Sequence, residues 1–193
     1  MVPRVRAILD TVTTERRQFE RFCRSLDAEE LMCPVSGTTW RVKDFISHVA
    51  TLDAPYVGWF AEMTGAAETG LHRGSLDFDV DVYNEAAVAG YHDRGVKDIL
   101  ADAARGRAAL GAVLERLEDA HLDATIRFGG DRKRPPVHLL LAQFLQGWTG
   151  HDAIHVADML KALPERCTDP AIVAWLGRPA IAAVIGRYQQ AMG

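Results

Sequence analysis

Hydrophobic residues recur at helical intervals in four long stretches of this chain. Over residues 5–26, Ile8, Val12, Phe19, Phe22 and Leu26 fall on one side of a helix, and Arg16, Arg17, Glu20 and Arg21 are placed mostly on the far side. A connector over residues 31–39, punctuated by Pro34 and Gly37, leads into a second stripe made of Val42, Phe45, Val49 and Leu52. Trp40 and Phe45 stand five apart, the spacing of a hydrophobic staple around an N-cap at position 41. Asp44 then occupies the third helical position, where its carboxylate reaches back to a free backbone N–H; Arg41 itself is a poor cap. Pro55 predicts a bend in this helix, because it removes the bond to Thr51.

The third stripe, over residues 95–119, carries Val96, Ile99, Leu100, Ala103, Leu110, Leu114 and Leu117, with alternating charges on the opposite, solvent-facing side. The fourth, over residues 138–162, reads as one long helix stopped by Pro164, with Leu141, Phe144, Leu145 and Trp148 inward. Residues 81–91 predict a short inserted helix. Asp169-Pro170, a good cap followed by proline at the first helical position, starts a last helix that runs to about Met192 and is kinked at Pro179. Residues 68–81 are irregular and acidic toward their end, the kind of long loop that often serves a binding site. Residues 124–128 could pass as a strand but have no evident partner. The pattern predicts an all-α protein: a four-helix bundle with a short inserted helix and an extra C-terminal helix. It is read as one domain over 1–193, with its core at about 5–163 and a helical extension at 169–192.

Composition adds limits rather than a function. Of 193 residues, 48% are hydrophobic and 25% charged, enough for a core and an ordinary soluble surface. A net charge of −4 gives no general attraction to nucleic acid. The basic run over 127–134 lacks interleaved aromatics and reads as a solvated loop. Cys23, Cys33 and Cys167 are widely spaced and odd in number, which suits reduced thiols and a cytoplasmic location. The first residues turn charged too soon for a signal peptide, and no run is long enough for a membrane span.

The candidate chemistry lies in histidines. His151 and His155 stand four apart, one helical turn, on the inward face of the fourth helix. An isolated HxxxH is a common coincidence, and two histidines hydrogen-bonded inside a bundle show the same pattern. His48 lies within the stripe of the second helix, where a lone histidine is usually a satisfied core residue. In a bundle, however, facing helices supply the ligands of a core metal, and His48, His151 and His155 together would offer three neutral imidazoles. Three protein ligands leave coordination positions open, as catalytic sites do, and nitrogen donors suit zinc, nickel or iron(II).

The segments WRVKDFISHVA (40–50), DVYNE (81–85) and GHDAIHV (150–156) resemble the DinB-like four-helix proteins. That superfamily includes the N-terminal domain of mycothiol-dependent maleylpyruvate isomerase, several low-molecular-weight-thiol transferases and proteins assigned as metal hydrolases. The resemblance spans about residues 5–163. It implies a divalent metal held by His48, His151 and His155, and a small-molecule substrate processed with a thiol such as mycothiol. It departs from the pattern at Arg41, where the family often has Ser or Thr, and in the last helix, which the resemblance does not place. Mycothiol isomerases also carry a further C-terminal domain, for which 193 residues are expected to be too few.

The leading expectation is a metal-dependent enzyme of thiol transferase or isomerase type. A metal-dependent hydrolase and a non-catalytic sequestering protein are the alternatives. Trp59, Asn84 and Trp148 are candidates for the pocket wall, and Asp53 and Asp158 for orienting a ligand histidine from behind. No nucleic-acid or membrane partner is expected, and bundles of this kind often pair as homodimers.

Overall fold

The computed structural model describes residues 1–65, 72–73, 79–128 and 135–192. In chain order its elements are α1 (Pro3–Ser25), α2 (Ala28–Met32), α3 (Val42–Thr51), α4 (Asp53–Gly65), β1 (His72–Arg73), α5 (Val80–Ala89), α6 (Val96–Leu114), α7 (Asp119–Leu122), β2 (Thr125–Phe128), β3 (Val137–Leu140), α8 (Leu141–Thr149), α9 (His151–Met159), a 3₁₀ turn at Pro164–Thr168, α10 (Pro170–Leu176) and α11 (Pro179–Met192). Four legs form the bundle: α1, α3 with α4, α6, and α8 with α9. The first packs on α6, α8 and α9, while α3 packs on α6 and α9 and α4 on α6.

Two of these legs are broken, and the same chemistry marks both breaks. Ahead of Leu52, the Thr51 hydroxyl donates to the His48 carbonyl at 2.8 Å; ahead of Gly150, the Thr149 hydroxyl donates to the Gln146 carbonyl at 2.7 Å. Such back-bonding often bends a helix, but Thr11 and Thr14 make it inside unbroken α1, so it accompanies these breaks without being sufficient for them. Pro55, third residue of α4, adds the missing donor toward Thr51, so the expected bend falls at Leu52, just ahead of the proline. The fourth leg was expected to be one helix from 138 to 162. It is instead a strand followed by two helices, because Gly150 serves as both the end of α8 and the start of α9.

The strand expected without a partner has two. β2 pairs antiparallel with β3, Ile126 opposite Leu139, and parallel with β1, Arg127 opposite His72. Helical spacing does not distinguish 138–140: Leu139 and Leu140 continue the apolar run into α8, yet they pair with β2 as extended backbone. The helix starts only at Leu141, where the Gln143 side chain accepts from the Leu140 amide at 2.9 Å. The acidic stretch 68–81 and the basic run 127–134 lie largely outside the described residues.

Buried side chains form two apolar clusters. One holds Phe19, Phe22, Phe45, Ile46, Val49, Ile99, Leu100, Val156 and Met159; the other holds Val12, Phe60, Leu110, Leu114, Ile126, Leu141, Leu145 and Trp148. The C-terminal helices are seated on the first. Asp169 caps α10 through the Ala171 amide, as the sequence predicts. In place of a kinked helix the chain forms two, α10 and α11, separated around Gly177 and Arg178. Glu15 of α1, buried, accepts from Trp175 Nε1 at 2.6 Å and from Arg178 Nη2 at 2.6 and 2.7 Å. At Gly150 α11 comes so close that a β-carbon would lie 2.7 Å from Val184 Cγ1, so the break tolerates only glycine without rearrangement. Among the described residues no helix is long and apolar enough to cross a membrane.

Candidate metal centre

The α3 start that presents His48 is built as the sequence predicts. The Arg41 amide donates to Asp44 Oδ2 at 2.9 Å, and the Trp40 and Phe45 rings meet edge-on at 5.1 Å between centroids. Seven residues into α3, His48 points inward and is buried. His151 opens α9 directly after the Gly150 break, and His155 follows one turn later, also buried.

These three rings converge. Ring centroids are 4.8 Å apart for His48 and His155, 5.9 Å for His48 and His151, and 4.4 Å for His151 and His155. One nitrogen from each lies within 4.8 Å of the others. The two Nε2 atoms of His151 and His155 are 3.3 Å apart. Two nitrogens bound at about 2.0–2.1 Å to one tetrahedral ion stand roughly 3.3–3.4 Å apart, so this pair needs no movement to share a cation.

The surroundings fit the same occupant. All three donors are imidazole nitrogens, the set that zinc, nickel and iron(II) take, and Nδ1 of each ring is buried with no hydrogen-bond partner among the described residues. Asp158 Oδ2 lies 3.6 Å from His155 Nδ1, too long for a hydrogen bond but close enough to favour a proton on that nitrogen and the lone pair on Nε2. Trp40 packs against His48 at 5.1 Å and Phe45 against His155 at 5.6 Å. Glu85 of the inserted helix steadies this wall, its Oε1 accepting from Trp40 Nε1 at 3.0 Å and Thr39 Oγ1 at 2.9 Å. Unlike the other two, His151 is only partly buried, which leaves a side of the cluster open to approach.

Burial, with His155 alongside, pushes the His48 pKa down to about 3. Burial also drives His151 well below its ordinary value, helped by His155 and His48. Both rings are therefore neutral at physiological pH, the form that binds a metal. At Asp158, burial opposes the charge, but His155 and Lys161 outweigh it and hold the carboxyl below its usual range. A depressed histidine pKa means the unfolded chain binds more protons, so stability rises with pH between the folded and unfolded values. Metal-free protein is expected to lose stability as pH falls from about 6.5, at up to about 1.4 kcal/mol per pH unit for each such ring. Urea unfolding across this range is expected to show a shallower slope for His48→Phe than for the wild type; equal slopes would refute the assignment.

The other candidates disperse. Asn84 is half-buried on α5, where its neighbour Glu85 makes the contacts toward the triad. Trp148 is buried, 4.5 Å beneath the Arg107 guanidinium and beside Tyr56, as part of the second apolar cluster. The Trp59 side chain lies outside the described ones. Of the two acids expected behind the histidines, Asp158 is there and Asp53 is not. Asp53 accepts from Arg107 Nε at 2.8 Å, within a buried charge cluster completed by Arg16 and Asp152. Burial works against the Asp152 charge, yet Arg16 and Arg107 beside it bring its pKa down to about 2.

That cluster corrects the expectation that Arg16 faces outward. Arg16 follows Val12 by four residues and precedes Phe19 by three, so it sits on the inward stripe by the same spacing that singled out His48. Glu15 next to it is also buried. The spacing carries this signal against the usual preference of arginine for solvent.

A helical bundle with one histidine on its second leg and a turn-spaced pair on its fourth, gathered in the core, defines a class of four-helix domains with a three-histidine candidate metal site. The chain belongs to the mycothiol maleylpyruvate isomerase N-terminal domain family, which matches residues 12–151, more than half of the sequence. The match reaches His48 and His151; His155 and the C-terminal helices lie beyond it. In structure the chain is similar to mycothiol-dependent maleylpyruvate isomerase, with a TM-score of 0.57 at 12% identity, and to a histidine-to-alanine mutant of that enzyme, with a TM-score of 0.58 at 11% identity. Each comparison covers 82% of this chain but 61% of the other, so the chain spans about three fifths of the length of the enzyme it matches. No curated protein matches it in sequence.

Proposed function

We propose that His48, His151 and His155 hold one divalent cation and that the protein is a metal-dependent enzyme acting with a low-molecular-weight thiol, as a transferase or isomerase. The observation that carries this reading is the convergence of three imidazoles from two legs of the bundle, one nitrogen of each within 4.8 Å of the others and two Nε2 atoms 3.3 Å apart. Zinc, nickel and iron(II) are the ions this donor set suits. Bound there, the ion would lower the pKa of a thiol or a water and supply a nucleophile at neutral pH.

The chain's own residues supply the rest. Asp158 favours the tautomer of His155 that leaves Nε2 free, and Lys161, 2.6 Å from Asp158 Oδ1, keeps that carboxylate charged. Trp40 and Phe45 exclude water from the inner side of the rings, while partly open His151 gives access from outside. Mycothiol is the thiol named in the matched family and the matched enzyme, and it is the first one to try. The same open site would serve hydrolysis if water took the thiol's place, or sequestration if a small molecule bound without turnover.

Titrating mycothiol, bacillithiol or glutathione against metal-loaded protein separates these readings. Ultraviolet thiolate absorbance is expected to show the thiol pKa falling from about 8.5 to near 7 or below for one of them. The shift should require the metal and vanish in the His151→Ala/His155→Ala variant. Metal-loaded protein that leaves every thiol unshifted would sink the thiol reading and favour hydrolysis, tested next with activated esters and amides.

A further inference from the structure

The two apolar clusters are separated by a layer of charge. Arg16 lies on α1 between Val12 of one cluster and Phe19 of the other, and Arg107 on α6 lies between Ala103 and Leu110. Asp53 is the first residue of α4 and Asp152 the second of α9, each just past a break in its leg. Arg16 donates to both oxygens of Asp152, at 2.6 and 3.2 Å, and lies 3.7 Å from Asp53. Arg107 donates to Asp53 at 2.8 Å and lies 3.8 Å from Asp152. Side-chain exposures are 4% for Arg16 and Asp152, 1% for Asp53 and 14% for Arg107. Two cations and two anions thus balance inside the bundle, and all four legs contribute one each.

Such a layer is a poor way to gain stability. Desolvating four charges consumes most of what their attraction returns, and apolar residues of similar size often do better. This one is also incompletely satisfied: Arg16 Nη1 and Asp53 Oδ1 are buried without a hydrogen-bond partner among the described residues. What it does fix is position. Both acids open a helix, where the dipole favours negative charge, and both arginines come from the unbroken legs α1 and α6. The layer ties the Leu52 break to the Gly150 break. His48 sits four residues ahead of the first break, and His151 is the residue next to Asp152.

We propose that Arg16, Asp53, Arg107 and Asp152 form a positioning network that holds the two helix breaks at the separation at which His48 meets His151 and His155. The inference rests on the reading of the triad as a metal site and assigns the four residues no contact with the ion. Replacing the Arg16–Asp152 pair by Arg16→Met/Asp152→Leu removes one cation and one anion together and leaves Arg107 paired with Asp53.

Cobalt(II) is the ion to use, since its visible spectrum reports coordination geometry. Metal-free double variant is expected to be at least as stable as the wild type, while its cobalt affinity falls about 10- to 100-fold, the range for losing an outer partner of a ligand. Its cobalt spectrum should change in band position or intensity. Arg16→Lys keeps the charge but loses the two-pronged contact, and should show the same spectral change with a smaller loss of affinity. Wild-type affinity and spectrum in both variants would overturn the proposal. So would a double variant less stable than the wild type without metal, or one that does not fold, because the layer would then serve the fold. Failure of the metal reading itself looks different: wild-type protein would take up no cobalt at all.

Discussion

Replacing His151 and His155 together with alanine is expected to abolish metal binding. Wild-type protein purified without a histidine tag should carry about one equivalent of a divalent ion and the variant none, by elemental analysis. The reason lies in the division of labour across the bundle. Two of the three donors lie a turn apart on α9 with their Nε2 atoms already at shared-ligand distance, so removing both leaves a single imidazole on α3. Loss of an outer partner costs about 10- to 100-fold in affinity, and loss of two ligands should exceed that by a wide margin. His48→Ala alone should also fall well outside that range, because it empties one whole side of the site. Thermal unfolding gives a second readout. Chelator should lower the wild-type midpoint and leave the double variant unmoved. Stoichiometric metal in His151→Ala/His155→Ala would place the ion elsewhere and remove the basis of the proposed function.

The largest expected loss of stability comes from Glu15→Ala. Its carboxylate is buried and accepts three charge-assisted or aromatic N–H bonds that tie the C-terminal helices to α1. Alanine leaves Trp175 Nε1 buried without an acceptor, whereas Arg178, 41% exposed, can turn to water. Deleting one member of a buried charged pair costs about 3–5 kcal/mol, and the exposure of Arg178 pulls the estimate to the lower end, about 3 kcal/mol. Urea unfolding should show that loss, and amide exchange over 170–192 should speed up more than exchange in α1. Glu15→Gln retains an oxygen for Trp175 and should lose less. A change below about 1 kcal/mol in Glu15→Ala would mean that apolar contacts alone, such as Val184 on Gly150, hold these helices in place.

The sequence made some of this structure legible and hid the rest for physical reasons. Helical periodicity located every bundle leg, and local chemistry located the α3 start to the residue, because Trp40, Asp44 and Phe45 act within a single turn. Asp169 and Pro170 did the same for α10. The breaks at Leu52 and Gly150 were harder. Threonine back-bonds at Thr51 and Thr149 do not single them out, since Thr11 and Thr14 make such bonds inside unbroken α1, and at Gly150 the contact with Val184 comes from distant α11. The β2–β3 pairing was missed because four-residue apolar strands carry the same signal as a helix turn. Of the site, the three histidines could be named from spacing and resemblance. The charges at Arg16 and Arg107 could not be paired with Asp152 and Asp53 without knowing which legs face one another.

His48 and the α9 pair are roughly a hundred residues apart along the chain, so the loop between them must close before three nitrogens can meet. An unfolded chain offers a cation only the weak grip of a turn-spaced pair in an unformed helix, whereas the folded chain offers all three donors. With the proposed ion bound, its free concentration would act as a thermodynamic gauge of folding. Under metal starvation a larger fraction of molecules would stand open to proteases, and abundance in the cell would follow metal supply even where no substrate is present.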